Sequence, residues 1–384
     1  MNLTKLYISV FYLLTIQCAY SIETAKFSAL YNEGQTQSYL KIMSFNTYFL
    51  YDTEKDPSLS YEKVYTKEAY FKKLGALADV INAASPDVLA LQEVENRNVL
   101  IDLSYYLQKK YNILHYESND TFTGQDVALL YNKDVVREMS KMKSNLDYKV
   151  PLLGKDGEII YPAKPLSKGI LEAELIVRES GQRVVFLVTH LKSQNGGWLS
   201  DLKRFAQANT LRHKMEEVYH TKSKRVIVLG DLNDVNPTAT LEHLTGEAQC
   251  VYDYDQSKLI VFHDVLVDYP VEKNFTYIFK KFKKSQGHSV YMGTFKSRLD
   301  VILASPWSNY EIKTKFIESV FDPSTRFPSD HLPVIAHMLI QKDQSLKLEK
   351  NKKSPVIEPI EPVDETKPQS VRIEIPKDKW ELKL

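Results

Sequence analysis

Residues 225–234 read RVIVLGDLND. The four apolar side chains at 226–229, three of them β-branched, are typical of a buried strand. A glycine and two polar residues, Asp231 and Asn233, follow directly. In α/β proteins, reactive groups commonly lie where a buried strand ends. The stretch therefore predicts a sheet strand with a candidate polar site at its carboxyl end.

The same arrangement recurs along the chain. Further runs with strand character occupy residues 40–45, 88–91, 127–131, 184–189, 299–303 and 332–340. Polar side chains lie at or beside their ends: the metal-competent Asn46, Glu93, His190, Asp300, Asp330 and His331, and the cation Arg298. Each has a structural explanation when taken singly, as a turn former or a hydrogen-bonded side chain. Their joint occurrence in this order favours a shared site.

Helical patterns separate several of these runs. Tyr70, Leu74, Leu77 and Ile81 share one helical face before Ser85-Pro86, and a second helix is predicted over residues 201–219. Short and helical connections together predict an α/β (α+β) fold, with two packed mixed sheets between helices.

The two ends of the chain differ from this globular part. Lys5 precedes an apolar run at 6–16 and small residues near 19–21, which predicts a signal peptide over residues 1–21 and a linker over 22–37. We therefore expect a secreted or periplasmic protein, with acylation of Cys18 as a minor alternative. The run is too short to span a membrane, so we expect no stable membrane insertion. The Lys, Glu and Pro-rich residues 342–384 predict a disordered tail.

Charge constrains the partners. With 50 basic and 49 acidic residues, the formal net charge is +1. The whole chain therefore lacks the positive field of proteins that coat nucleic acid, and any affinity for a polyanion has to be local.

A family resemblance rests on seven motifs between residues 40 and 340. They are MSFN, LQEVEN, VALLYN, THLKS, VLGDLND, RLDVIL and SDHLPV. Together they resemble the endonuclease/exonuclease/phosphatase superfamily, which includes pancreatic deoxyribonuclease, apurinic endonucleases, sphingomyelinases and inositol polyphosphate phosphatases. The resemblance implies a domain over 38–341 that forms a four-layer sandwich, with the active site at one edge of two facing sheets. HLKSQNGG, followed by Asp201, Arg204 and Gln207, is most similar to bacterial exported nuclease-like members.

The resemblance implies a metal site that suits phosphodiester chemistry. A phosphodiester gains negative charge during attack, so a site needs a cation, an activated water and hydrogen-bond donors. Glu93, Asn46 and Asp330 offer hard oxygen ligands of the kind that Mg²⁺ prefers, with Mn²⁺ or Ca²⁺ as alternatives.

The same resemblance gives the catalytic roles. Asp231 is expected to deprotonate the attacking water, and Asn233 to donate to the phosphate or the nucleophile. His331, paired with Asp300, is expected to stabilise the phosphate as an imidazolium. His190 is expected to do so from the other side, although some superfamily members have Tyr at this position.

Several residues are candidates for substrate contact. Arg204 shares a helix face with buried-type residues, so it either pairs with an anion or extends to solvent. Lys192 and Gln207 carry the same ambiguity, and Arg298 is a further candidate for substrate binding. Trp198 stacks on a base or anchors its own loop. Residues 279–284, FKKFKK, interleave rings with cations and suit either nucleic acid or a solvated hairpin.

The leading hypothesis is an exported Mg²⁺-dependent nuclease, monomeric, acting on DNA and also on RNA. The rival is a phosphoesterase of lipid head groups or small phosphate esters, because the same residues serve those substrates elsewhere in the superfamily. A binding protein without catalysis is the third hypothesis. It is disfavoured because no expected catalytic position carries an inert residue.

Overall fold

The computed structural model describes residues 38–146, 149–153, 159–165, 167–235, 239–246, 260–267, 274–285, 288–306 and 328–340. For residues 38, 149–153, 159–165, 279–285 and 288–290 it describes the backbone only. The predicted signal peptide, linker and tail lie outside these ranges, as do the side chains of the 279–284 segment. Across the described ranges, no helix is both long and apolar enough to cross a membrane.

A five-stranded mixed sheet carries Asn46 and Glu93. In spatial order its strands are β15 (Val334–Ile340), β1 (Ser38–Leu50), β2 (Val88–Val94), β4 (Asp126–Asn132) and β3 (Tyr111–His115). β1 runs parallel to β2 and antiparallel to β15. Strand β15 begins at Val334, two residues later than predicted, because the Leu332 N–H donates to the carbonyl of Thr276.

A six-stranded mixed sheet carries His190, Asp231 and Asp300. In spatial order its strands are β11 (His263–Asp264), β14 (Asp300–Ala304), β10 (Val226–Asp231), β9 (Arg183–His190), β8 (Leu171–Val177) and β5 (Val136–Glu138). β9 and β10 are parallel, so their carboxyl ends meet at one edge. Two hairpins stand apart from both sheets. They are β6 (Lys149–Leu153) with β7 (Ile159–Pro165), and β12 (Tyr277–Ser285) with β13 (His288–Ser297).

Helices cover the outer faces of both sheets. α1 (Lys67–Ala84) and α2 (Arg97–Ser104) pack on the five-stranded sheet, whereas α3 (Trp198–Thr221) and α4 (Ala239–Thr245) pack on the six-stranded sheet. The predicted face of α1 is buried, and the helix ends at Ser85, whose left-handed backbone precedes Pro86. The predicted helix at 201–219 lies within α3.

Alternating side chains assemble the four layers. In β1, Leu40 and Ile42 face the other sheet while Met43 and Phe45 face the helices. The buried inner faces of both sheets form one continuous apolar cluster. The predicted four-layer sandwich of two packed mixed sheets flanked by helices is therefore confirmed.

The same alternation places the polar strand ends. The inner face of β10 shows Ile227 and Leu229, and two residues further along the same period comes Asp231. The corresponding inward positions on the neighbouring strands are Asn46, His190 and Asp300. At this edge the core between the sheets thus changes from apolar to polar.

Candidate active site

Asp231 lies at the centre of this polar edge. Its side chain is 1% exposed and accepts hydrogen bonds from Asn46 Nδ2 (2.9 Å), Asn233 N (2.7 Å) and Asn233 Nδ2 (3.3 Å). Gly230 allows strands β9 and β10 to approach here, because a Cβ on it would lie 2.0 Å from the carbonyl oxygen of Thr189. Burial raises the pKa of Asp231 to about 7, despite the opposing charge of His331.

Asn46 connects Asp231 to Glu93. The same amide nitrogen that donates to Asp231 also donates to Glu93 Oε1 at 3.2 Å, while Asn46 Oδ1 accepts from the N–H of Tyr48. Asn46 thus holds two carboxylates in place, and its role as a metal ligand stays a prediction. Asn46 Oδ1 is already engaged by a backbone donor.

Glu93 reaches this site through an irregular backbone. Strict alternation would direct residue 93 toward the helices, with Leu89 and Leu91. Instead Glu93 has φ 61°, a left-handed conformation, at a register shift between Gln92 and Val94. The N–H of Phe49 donates to Glu93 Oε2 at 3.0 Å. The local distortion redirects the carboxylate toward Asn46.

His331 and Asp300 form a buried pair. Their Nδ1 and Oδ2 atoms lie 2.7 Å apart, and His331 Nε2 points toward the site, 3.8 Å from Asp231 Oδ2. Burial alone would lower the pKa of His331, but the charges of Asp300 and Asp231 raise it to about 10. This pKa favours a cationic imidazole near neutral pH, and the role of His331 beside a phosphate stays a prediction.

His190 differs from His331 in charge. Burial lowers its pKa well below the usual value, and the cations Lys168, His331 and Lys192 lower it further. Lys168 Nζ lies 3.1 Å from Nδ1, so this nitrogen is the acceptor and the ring proton is on Nε2, 3.6 Å from Asp231 Oδ2. His190 therefore presents a neutral N–H to the site, in contrast to the second imidazolium that we expected.

The sequence analysis missed Lys168. This buried lysine donates to Gln125 Oε1 at 2.7 Å as well as contacting His190, and its ammonium lies 3.8 Å from Asp120. Burial lowers its pKa, while the carboxylates of Asp120, Glu93 and Asp231 oppose that shift. The signal available in the sequence was a basic residue before Gly169 and the apolar run that forms β8.

Lys73 was also missed, and it links two segments of the site. Its ammonium donates to the carbonyl of Tyr48 at 2.7 Å and to that of Pro328 at 2.9 Å. Tyr48 follows Asn46 by two residues, and Pro328 precedes Asp330. Burial lowers the pKa of Lys73 to about 7. Ser329 adds a parallel link, since its hydroxyl donates to the carbonyl of Asn46 at 2.7 Å.

The donor set fits a hard divalent cation. Four carboxylates, those of Glu93, Asp231, Asp300 and Asp330, face the cations His331 and Lys168. Burial raises the pKa of Asp330 to about 6, and its buried Oδ1 accepts no hydrogen bond from the part of the chain that the structure describes. An unpaired buried carboxylate oxygen is costly unless a cation or donor occupies its other side. Glu93 and Asp330 are therefore suitable Mg²⁺ ligands.

Among the predicted substrate contacts, both arginines have other partners. Arg204 donates to Asp201 at 2.6 Å and to the carbonyl of Lys192 at 3.2 Å, and it lies 3.4 Å from Asp234. Arg204 therefore pairs with anionic side chains, which is the first of the two alternatives given for it above. Arg298 is buried against Asp264, which supports a structural role in place of the predicted substrate contact.

Of the other two candidates, Trp198 begins α3 and Lys192 lies in the segment between β9 and α3. Trp198 is 45% exposed. The backbone N–H of Lys192 donates to Gln207 Oε1 at 2.7 Å, and the ammonium of Lys192 contributes to the lowered pKa of His190. Both side chains remain candidates for substrate contact.

Solved structures share this fold. An endonuclease/exonuclease/phosphatase family protein from Bacteroides thetaiotaomicron is 17% identical, with a TM-score of 0.51 over 80% of this chain and 100% of that one. TDP2 from Caenorhabditis elegans is 20% identical, with a TM-score of 0.49 over 80% and 78%. The mannosyl-6-phosphatase Bt3783 of B. thetaiotaomicron is 16% identical, with a TM-score of 0.48 over 78% and 99%. At 17% identity, the likeness to the first of these structures shows the fold alone.

The fold and the polar edge define an α/β sandwich with a buried site of carboxylates and histidines at one edge of its two sheets. The model of the Endonuclease/Exonuclease/phosphatase family matches residues 41–280, which is well over half of the chain. The protein belongs to that family, whose members are hydrolases of phosphodiesters and phosphate monoesters. A search of curated proteins found no match.

Proposed function

We propose that this protein is an exported phosphodiesterase that cleaves nucleic acid, DNA first and RNA as well, with Mg²⁺. One observation carries the hydrolytic part. The Asp231 carboxylate belongs to two triads whose ligand atoms lie within 4.8 Å of one another, Glu93–His190–Asp231 and Asp231–Asp300–His331. A candidate base, a cation and metal-competent carboxylates thus lie together at the polar edge of the two sheets.

Asp231 supplies the base. With a pKa of about 7 it is partly ionised at neutral pH and takes a proton from water well. Asn46 and Asn233 hold the carboxylate by hydrogen bonds and leave it little freedom. The deprotonated water attacks phosphorus, the bond to the leaving oxygen breaks, and that oxygen takes a proton from solvent.

His331 and His190 stabilise the phosphoryl oxygens. The His331 cation, held by Asp300, opposes their growing negative charge, and the neutral N–H of His190 donates a hydrogen bond. A bound Mg²⁺, held by the carboxylates of Glu93 and Asp330, would supply further positive charge beside the phosphate.

Export rests on the sequence. Lys5 and the apolar run at 6–16 lie outside the described residues and support a cleaved leader. Fractionation of the producing cells, with the protein's N-terminus sequenced from the extracellular fraction, tests this part. An uncleaved cytoplasmic protein would contradict it.

The activity is tested with the purified chain on plasmid DNA, RNA, sphingomyelin and inositol phosphates, with Mg²⁺ and with a chelator. We expect Mg²⁺-dependent cleavage of DNA and RNA. Cleavage of sphingomyelin or inositol phosphates alone would favour the rival phosphoesterase, and cleavage of none would favour a binding protein. Full activity in chelator would remove the metal from the proposal.

Glu93→Gln tests the metal site separately. The substitution keeps the shape of the side chain but removes one ligand charge, so we expect a strong loss of turnover and a raised Mg²⁺ requirement. Glu68→Gln, an exposed carboxylate in the first turn of α1, is the matched control and should behave as wild type. Normal turnover of Glu93→Gln at low Mg²⁺ would show that Glu93 is not a ligand.

A further inference from the structure

An aromatic cluster borders the site where the backbone of β1 becomes irregular. The backbone N–H of Tyr48 donates to Asn46 and that of Phe49 donates to Glu93, so the backbone that carries both rings is tied directly to site residues. Tyr48 and Phe49 have φ values of 52° and 55°, a left-handed conformation that is strained for large side chains. Strain of this kind persists where the surrounding structure enforces it, and it often accompanies function.

Two members of the cluster face solvent. Phe49 packs against the ring of Tyr48 at 5.1 Å and that of Tyr61 at 6.0 Å, and it forms the partly buried centre. Tyr48 is 37% exposed and Tyr61 is 49% exposed. Both tyrosines therefore offer part of their side chains to solvent beside the polar edge.

A cation lies within the same cluster. Lys63 Nζ is 4.9 Å from the ring centre of Tyr48, 5.0 Å from that of Tyr65 and 5.8 Å from that of Phe49. Burial lowers its pKa, while the carboxylates of Asp330 and Glu93 raise it. Lys63 is thus close enough to the site for the charges of both proposed metal ligands to affect its pKa, and its ammonium lies over three aromatic rings.

We propose that Tyr48, Tyr61 and Lys63 bind the nucleotide next to the scissile phosphate, with its base on the exposed tyrosine faces and its far phosphate on Lys63. The inference rests on the proposed nuclease function and names the substrate class more closely. A nucleic acid offers a planar ring and a second phosphate in the same residue. A lipid head group or a small monoester does not offer both.

Physical magnitudes support this assignment. Stacking of a base on an aromatic side chain contributes enough that its loss lowers affinity about 10-fold or more. Stacking tolerates any base, so the subsite recognises the chemical class without recognising sequence. A lysine beside it adds a salt-dependent contact to the backbone. This supplies local affinity in a chain whose net charge is only +1.

The experiment removes the ring from the enzyme and from the substrate independently. Wild type and Tyr48→Ala are assayed on a short single-stranded DNA and on the same DNA with one ring-free abasic nucleotide beside the cleaved bond. We expect kcat/KM of Tyr48→Ala to fall about 10-fold on the intact DNA, and much less on the abasic DNA, because the partner ring is already missing. Tyr61→Ala should show the same pattern, and Tyr105→Ala, an exposed tyrosine at the end of α2, should show no loss.

Equal losses of kcat/KM on both DNAs would show that Tyr48 acts on the structure of the site alone, and would overturn the proposal.

The Lys63 contact is tested by salt dependence. Lys63→Ala should reduce the slope of log KM against log salt on a trinucleotide. It should leave that slope unchanged on a dinucleotide, which lacks the far phosphate. An unchanged slope on both would overturn this part. If wild type cleaves neither DNA, the nuclease function itself fails. If wild type cleaves the DNA and the tyrosine variants lose kcat/KM equally on the intact and the abasic DNA, only the subsite proposal fails.

Discussion

The two sheets build their halves of the site in different ways. At the edge of the six-stranded sheet, pairing stays in register to the last residues, with Asp231 opposite His190 on one side and Asp300 on the other. At the edge of the five-stranded sheet, pairing is interrupted after Asn46 and after Gln92. Left-handed residues follow, among them Tyr48 and Glu93.

The two edges therefore place their side chains by different means. The candidate base Asp231 and its neighbours His190 and Asp300 are placed by regular strand geometry, so removing one of them should remove chemistry without moving the rest. Glu93 and the aromatic cluster are placed by strained backbone and by hydrogen bonds from Tyr48, Phe49 and Lys73. Substitutions at this edge should therefore lower activity by displacing side chains of the site.

The largest effect is expected at the regular edge. Asp231→Asn keeps the size of the side chain but removes the base, so turnover should fall by about 10²-fold to 10⁴-fold. The substitution also removes a buried carboxylate, so thermal unfolding should shift little. The measurement is kcat at saturating substrate, together with the melting temperature. Near-normal turnover in a folded variant would assign the base elsewhere.

The two histidines sharpen the comparison. His331→Ala removes a cation beside the phosphate and should lower turnover about 10²-fold or more. His190→Gln retains a neutral N–H donor, so its loss should be smaller. Both rates are measured under the same Mg²⁺ concentration. If His190→Gln loses as much as His331→Ala, the neutral state assigned to His190 is wrong.

Sequence patterns predicted the regular parts of the molecule well. The runs around Asn46, Glu93, His190, Asp231 and Asp300 all lie in or beside the strands expected, because buried strands carry continuous apolar runs. The four-layer fold followed from the family motifs. What the catalytic and metal-binding side chains do in solution remains a prediction from those motifs and their geometry.

The irregular backbone and the long-range contacts were not predicted from the sequence. Positive φ at Glu93 has no signal in its own residue type, since such a backbone is usually marked by glycine or asparagine. Lys73 and Pro328 are 255 residues apart, and no local pattern announces their contact. Helices α2 and α4, with 8 and 7 residues, were too short for a reliable period. Arg298 appeared available because its partner Asp264 lies on another strand, β11.

A backbone substitution tests how strictly the regular edge is built. Gly230→Ala places a Cβ 2.0 Å from the carbonyl oxygen of Thr189 at φ 152°, so the strands have to separate. We expect a loss of about 4 kcal/mol or more in the free energy of unfolding. Gly181→Ala is the control, since it has φ 70° but nothing within 4 Å, and should cost only about 1–2 kcal/mol. Equal losses in urea unfolding would show that the close approach is unimportant.

At the irregular edge, Lys73→Met removes the amine and keeps most of the apolar stem. The links to Tyr48 and Pro328 are lost, so Asp330 and His331 should be held less accurately, and kcat should fall about 10-fold. KM for a short DNA should rise as well, because Lys73 donates to the carbonyl of Tyr48 and its ammonium lies 5.7 Å from the centre of the Tyr48 ring in the proposed nucleotide subsite. A fall in kcat equal to that of Asp231→Asn would show that Lys73 takes part in the chemistry and is more than a link.

The smallest effect concerns the pH dependence of stability at this link. Burial lowers the pKa of Lys73 to about 7 in the folded chain, from an ordinary 10.5. Between these values the unfolded chain binds more protons, so the contribution of Lys73 to stability rises with pH in this window. The cost of burying the ammonium is complete below pH 7 and declines toward pH 10. Lys73→Met lacks the titrating group.

The free energy of unfolding of wild type, minus that of Lys73→Met, should therefore increase from pH 7 to pH 9, by at most about 1.4 kcal/mol per pH unit. Urea unfolding of both proteins at pH 7, 8 and 9 measures this difference and cancels the other titrating groups. A difference that stays constant would mean that the carbonyls of Tyr48 and Pro328 keep the ammonium charged. The link would then hold these loops with the same strength throughout this range.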